Sequence, residues 1–238
     1  MNIEEQKSFY DKYWSTNKLL NSLQLRRCVK ILEYFTVVKR KIRKPLILDL
    51  GSGDGRLTAF LGQFGMTDAV ELSQQAVVKA NELYPHVNFQ QGDALAFDFK
   101  DKTYDVIVSQ EVLEHIENKH KYVSVCFKVL KPKGYLILTT PNKNVLDHMT
   151  DGKTWSNQPI ELPVSKRELK KILREQNFKI LKYESIVMNF GNKGYYKLIN
   201  NKYVVAVFKK IGLAKFREYI LSSLGYGLHH CIFAQKKM

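Results

Sequence analysis

Apolar and polar positions along this chain follow two alternating rhythms. Short, nearly continuous apolar runs stand at Ile47–Leu50, up to Val70, at Val87–Gln90, at Tyr104–Val108, at Tyr135–Leu138, at Phe178–Ile186 and at Leu228–Gln235. Runs of that length and continuity predict strands buried on both faces. Between them lie stretches with helical spacing. Ser73 is placed to cap a helix whose buried stripe is Ala76, Val77, Ala80 and Leu83. Tyr122, Val125, Cys126, Val129 and Leu130 mark a second, and Ser165-Lys166-Arg167-Glu168 is a capping box ahead of Leu169, Ile172 and Leu173. Residues 3 to 35 read as two helices, and Tyr10, Tyr13 and Trp14 share a face of the first. Strand–helix alternation of this kind predicts an α/β, doubly wound, mainly parallel sheet. No internal repeat or low-complexity tract interrupts it.

The first strand runs into Asp49-Leu50-Gly51-Ser52-Gly53-Asp54-Gly55-Arg56. Glycines at alternate positions let the backbone turn sharply and approach a ligand closely. A helix over roughly Leu57 to Phe64 then presents unpaired N–H groups suited to an anion. The place is the carboxyl end of the first strand, where open α/β sheets bind nucleotides. The dinucleotide fingerprint needs a third glycine where this chain has Arg56, which argues against a nicotinamide enzyme. Glu71 ends the second strand about 20 residues past the loop, the spacing at which an acid accepts from ribose hydroxyls.

These motifs, with Gln91-Gly92-Asp93-Ala94, Ser109-Gln110-Glu111-Val112-Leu113-Glu114-His115 and Leu130-Lys131-Pro132-Lys133-Gly134 running to Thr139-Thr140-Pro141-Asn142, resemble the class I S-adenosylmethionine (SAM) methyltransferases. The resemblance covers residues 9 to 190 in order. It is closest to the ubiquinone-biosynthesis O-methyltransferases and the small-molecule or sugar methyltransferases of bacterial gene clusters. It implies a seven-stranded Rossmann-like sheet with an antiparallel last strand. It also implies an N-terminal helical lid over residues 1–40 and a SAM-binding domain over 41–238; within the latter, residues 190–225, before the last strand, lie outside the minimal fold. SAM contacts are expected from Tyr10, Trp14, Asp49, Gly51, Ser52, Gly53, Gly55, Glu71, Leu72, Asp93, Ala94 and Gln110. Asp93 would meet the adenine amine, and Asp49 would mainly hold the glycine loop.

Composition narrows this reading. The 238 residues are 45% hydrophobic and 26% charged, enough for one large α/β core. No run is long enough to span a membrane, and the first residues do not read as a signal peptide. Cys28, Cys126 and Cys231 are odd in number and far apart, as in a reduced, cytoplasmic protein. The formal charge of +15 favours anionic partners: a phosphorylated or carrier-protein-bound small molecule, an anionic membrane face, or nucleic acid. The lysines are scattered, which suits a generally basic surface equally well. Residues 190 to 225 interleave lysines with aromatics and read as a helical cap over the substrate pocket, or as helices that only cover the sheet. The segment 143 to 164, with Trp155-Ser156-Asn157-Gln158, reads as a loop near the fifth strand.

Methyl transfer from a sulfonium leaves the enzyme to orient the reactants and to deprotonate the acceptor. His115, at the open face, is the candidate base. Glu111, Glu114 and His115 also resemble the divalent-metal set of small-RNA 3′-end methyltransferases, with His148 as the candidate fourth ligand. His229 and His230 fall on opposite faces of the last strand. The leading expectation is methylation of a small molecule at oxygen. A metal-assisted RNA methyltransferase and a catalytically silent scaffold are the alternatives; the base-stacking (Asn/Asp)-Pro-Pro-(Tyr/Phe) motif is absent after the fourth strand.

Overall fold

A computed structural model describes residues 3–15, 21–149 and 159–238. Its centre is a seven-stranded sheet of β1 (Leu46–Leu50), β2 (Met66–Glu71), β3 (Asn88–Gln91), β4 (Tyr104–Gln110), β5 (Leu130–Pro141), β6 (Phe178–Ile186) and β7 (His229–Lys236). The spatial order is β3-β2-β1-β4-β5-β7-β6. β1 to β5 pair in parallel, and β7 runs antiparallel to both β5 and β6. The strand order reverses between β1 and β4, so the crevice of a doubly wound sheet opens there.

Alternation along the strands divides the core. Ile47, Val106, Val108, Ile137 and Phe233 meet helix α2 (Ser22–Lys41) through Ile31, Tyr34, Phe35 and Val38. Leu48, Leu50, Ile107, Leu136 and Leu138 point the other way. They meet α5 (Lys119–Val129) and α7 (Lys166–Glu175) through Tyr122, Cys126, Leu169, Ile172 and Leu173. The Ser165–Glu168 capping box forms, and Ser73 caps α4 (Gln74–Leu83) through the Ala76 N–H. Two stripe positions differ from expectation. Leu83 is 57% exposed at the end of α4, and Val123 rather than Val125 is buried on α5.

The expected lid divides in two. Helix α1 (Ile3–Trp14) lies over the open end of the sheet, whereas α2 lines the cleft with its first half and packs into the core with Ile31, Tyr34, Phe35 and Val38 of its second. The chain after β1 turns through Gly55 into α3 (Arg56–Leu61), shorter than the pattern suggested. A short α6 (Lys143–Leu146) follows β5, and Trp155 to Gln158 lie outside the described residues.

The insertion before β7 forms α8 (Gly194–Ile199), α9 (Lys202–Lys210) and α10 (Ala214–Leu224). Tyr196 buries against Val145, Val187 and Leu228. The Ser185 hydroxyl donates to Ser222 O at 3.0 Å and ties α10 to the β6 edge, and Lys166 Nζ donates to Ser223 O at 2.7 Å and ties it to α7. Among the described residues, none of 190–225 lines the cleft at the open end. These helices cover the sheet edge; the reading of a cap over the pocket is corrected. No helix among the described residues is long and apolar enough to cross a membrane.

Candidate active site

The carboxyl ends of β1, β2 and β4 open into a cleft of about 940 Å³, roofed by α1. Of the residues expected at the cofactor, Tyr10, Trp14, Asp49, Gly51, Ser52, Gly53, Glu71, Leu72, Asp93, Ala94 and Gln110 line it. Gly55 does not. It caps α3 at φ 76°, and a Cβ there would come within 2.7 Å of the Phe89 ring. Its hydrogen side chain serves packing between the loop, α4 and β3 rather than a ligand.

Gly53 is constrained from the cleft side. Its φ is 55°, and a Cβ would stand 2.7 Å from the Trp14 ring. The roof helix therefore rests directly on the glycine loop. Glu71 locks the same loop from below. One carboxylate oxygen accepts from Gly53 N at 2.9 Å and the other from Ser73 N at 3.0 Å. Burial pushes the Glu71 pKa up, and these backbone hydrogen bonds oppose it. Asp49 is 2% exposed and accepts from Thr58 Oγ1 at 2.6 Å, so it fastens the strand end to α3. Burial raises its pKa to about 7 against that hydrogen bond. Asp93 accepts from Leu95 N at 2.9 Å and shapes the turn after β3. Ser52 Oγ is buried with no hydrogen-bond partner. A glycine cradle, an acid at the ribose spacing and an unpartnered loop hydroxyl fit a SAM molecule.

The candidate metal set does not converge. Glu114, 1% exposed, accepts from Thr140 Oγ1 at 2.9 Å. Burial first, and then Glu111, hold its pKa well above the usual carboxylate range. His115 Nδ1 stands 2.6 Å from Ile160 O, and its Nε2 stands 3.7 Å from Glu114. Glu111 turns away to Arg27 and His229. His148 packs against Tyr195 and Tyr196, with Nδ1 2.7 Å from Asn144 O, and does not line the cleft. Among the described residues no group of three or more His, Cys, Asp and Glu could hold a metal ion. The set assumed a helical turn beginning at Glu111. Glu111 instead has φ 56° and only Leu113–His115 form a 3-10 turn, so the three side chains diverge.

Sequence reasoning missed the opposite wall. Arg27 from α2, Glu111 after β4 and His229 at the start of β7 meet there. His230 points to the other face, where Tyr183 Oη lies 2.8 Å from Nδ1 and Val164 O lies 3.1 Å from Nε2. Burial lowers the His230 pKa to about 4. The only available signal was strand alternation, which put one of the two histidines at the open face without saying which.

Residues 48–138 match a family model described as a methyltransferase domain. A probable S-adenosylmethionine-dependent methyltransferase of Mycolicibacterium smegmatis is 28% identical over 41% of this chain; the match spans 38% of that protein's length. The ubiquinone biosynthesis O-methyltransferase of Rickettsia prowazekii is 24% identical over 84% of this chain and 85% of its own length. Among solved structures, the N-methyltransferase NodS of Bradyrhizobium japonicum, in complex with S-adenosylhomocysteine (SAH), superposes with a TM-score of 0.68. It shares 12% identity over 98% of this chain and 99% of its own, a likeness of fold. Domain match and curated relatives agree: residues 48–138 match a methyltransferase domain, and the chain is similar to SAM-dependent methyltransferases, with a sheet order that suits that fold.

Proposed function

We propose that this protein transfers the methyl group of SAM to a hydroxyl oxygen of a small molecule. The single observation that carries this is the two-sided cleft at the switch point. One wall is the Gly51–Gly53 loop with Glu71; the other is Arg27, Glu111 and His229. A relative named as an O-methyltransferase, similar over most of both chains, supports oxygen as the acceptor atom. In this reading Gly51, Ser52, Gly53, Glu71, Leu72, Asp93, Ala94 and Gln110 hold the cofactor, and Tyr10 and Trp14 close over it from α1.

Bound SAM supplies an activated methyl on a sulfonium with a good leaving group. The chain orients, excludes water and accepts a proton. Two imidazoles line the acceptor half, His115 and His229, and the acceptor's proton goes to one of them. We read the acceptor as a free or carrier-borne small molecule and the compartment as the cytoplasm. Calorimetric titration with SAH tests the cofactor assignment: saturable one-to-one binding is expected, and its absence would end the methyltransferase reading. Radiolabelled SAM with a small-molecule extract should then give a labelled low-mass product that survives amine-directed derivatisation.

A further inference from the structure

Arg27, Glu111 and His229 form a closed set of charges that is incomplete as a hydrogen-bond network. His229 is 1% exposed, and its Nδ1 lies 2.8 Å from Glu111 Oε2. Arg27 Nη1 is 3.3 Å from His229 Nε2 and 3.5 Å from the same Glu111 oxygen. Yet Arg27 Nε, Glu111 Oε1 and His229 Nδ1 are all buried without a hydrogen bond of good geometry, and so is the hydroxyl of Thr139, which stands near Glu111. The Nδ1 contact is close but too bent to count as a bond. Buried unpaired polar atoms are costly, and a native protein that keeps several together has a use for them. Arg27, Glu111 and His229 all face the cleft. Glu111 reaches this position through a left-handed backbone, φ 56°, a conformation that is uncommon outside glycine and clusters at functional sites.

The unpaired atoms select the ligand's chemistry. Arg27 Nε needs an acceptor, and Glu111 Oε1 needs a donor. An ammonium offers donors only and is repelled by Arg27. A carboxylate or phosphate offers acceptors only and is repelled by Glu111. A hydroxyl offers both. The guanidinium N–H beside Nε2 favours the tautomer with the lone pair on Nε2 and the hydrogen on Nδ1, the nitrogen that lies on the Glu111 side.

Resting on the methyltransferase reading, we propose that Glu111 and His229 receive the acceptor's hydroxyl and that His229, not His115, takes its proton. The acceptor's O–H bond breaks and its proton passes to Nε2. The oxygen's electron pair forms the new O–C bond, and the S–C bond breaks with its pair left on sulfur. Methyl ether, neutral thioether and an imidazolium facing ionised Glu111 result. Arg27, freed from Nε2, faces the oxygen as it loses its proton. His115 is held differently: Nδ1 is engaged by the Ile160 carbonyl, and Nε2 lies 3.7 Å from Glu114, which is itself tied to Thr140, with no guanidinium hydrogen-bonded to the ring among the described residues.

The test uses the SAH complex of the full chain and 4-nitrophenol as a hydroxyl probe, read by the visible band of its anion. The wild-type complex should show that band below the pH at which the free probe ionises. His229→Gln should abolish it, Glu111→Gln should weaken it about tenfold, and His115→Gln should keep it. SAH affinity, by calorimetry, should stay within about threefold in each variant, which also reports folding. A band that persists in His229→Gln, disappears in His115→Gln or is missing from the wild type overturns the proposal. So does a collapse of SAH affinity in Glu111→Gln, which would give the pair to the cofactor. Failure of the wild type to bind SAH would instead overturn the methyltransferase reading.

Discussion

Two carboxylates flank the switch point and titrate in opposite directions. Asp49, on β1, is raised to about 7, because burial is opposed only by the Thr58 hydroxyl. Glu111, just past β4, is also shielded, but His229 and Arg27 outweigh burial and bring it down to about 2. One wall of the cleft thus holds its acid by withdrawing it from water; the other holds its acid with charges. The first arrangement suits a fixed scaffold. The second keeps an ionised group, an imidazole and a guanidinium at the surface of a pocket, where chemistry can use them.

The largest expected effect comes from reversing that contrast. A raised carboxylate pKa means that the native state binds the proton more tightly than the unfolded chain does. Asp49 therefore contributes most below about pH 3.8, and that contribution is lost as pH rises through about 7. The difference is roughly 4 kcal/mol at most. Glu111 behaves oppositely: its contribution is present above pH 4.5 and is lost as pH falls through about 2, some 3 kcal/mol. Urea denaturation of the cofactor-free protein from pH 2 to 8 should show a shallower loss of stability towards neutral pH in Asp49→Asn than in the wild type. Glu111→Gln should instead remove part of the acid-side loss. Parallel curves for all three proteins would break the comparison.

Next in size is Gly53→Val. Its φ of 55° and the Trp14 ring 2.7 Å from the would-be Cβ leave no room for a branched side chain. SAH affinity should fall about a hundredfold or more, near 3 kcal/mol, by calorimetry. Gly55→Ala sharpens the point, because it lies in the same loop but outside the cleft. Strain at φ 76° and the Phe89 contact should cost about 1–3 kcal/mol of folding stability. SAH affinity of the folded fraction should change little. Equal affinity losses at both glycines would mean that the loop acts as one unit.

The glycine-loop wall was legible because its structure is set by the backbone. Alternate glycines after an apolar run, and an acid at fixed spacing, are local signals that survive without knowledge of packing. Even there Gly55 was misjudged, since its neighbour Phe89 comes from a distant strand. The opposite wall is built from α2, the end of β4 and the start of β7, and no spacing joins Arg27 to His229. The metal expectation for Glu111, Glu114 and His115 failed for a related reason. It assumed a regular helical turn where the chain adopts a left-handed residue and a short 3-10 turn. The helical content of 190–225 was readable from its pattern. Its docking on the β6 edge was not, because that depends on Tyr196 and Ser222 finding partners on α6, β6 and the turn before β7.

The smallest effect concerns the roof that both walls share. Asp11 of α1 accepts from Ser73 Oγ at 2.6 Å and from Gln75 N at 3.2 Å, at the positive end of α4. At the other side of the cleft, Gln6 Nε2 donates to His115 O at 3.3 Å. The helix is therefore clipped on the cofactor side by a charge at a helix start, and on the other side by a long neutral bond and by the edge of Tyr10 against the His115 ring. Asp11→Ala should release the charged clip and cost about 1 kcal/mol of closure. SAH should then bind about fivefold more weakly, mainly through faster release, as measured by stopped-flow fluorescence of Trp14 against Gly53. Gln6→Ala should leave SAH release nearly unchanged, since its bond holds the roof over the acceptor half. If both variants speed release equally, α1 moves as a rigid plate, and the two sides of the cleft do not differ in how they are closed.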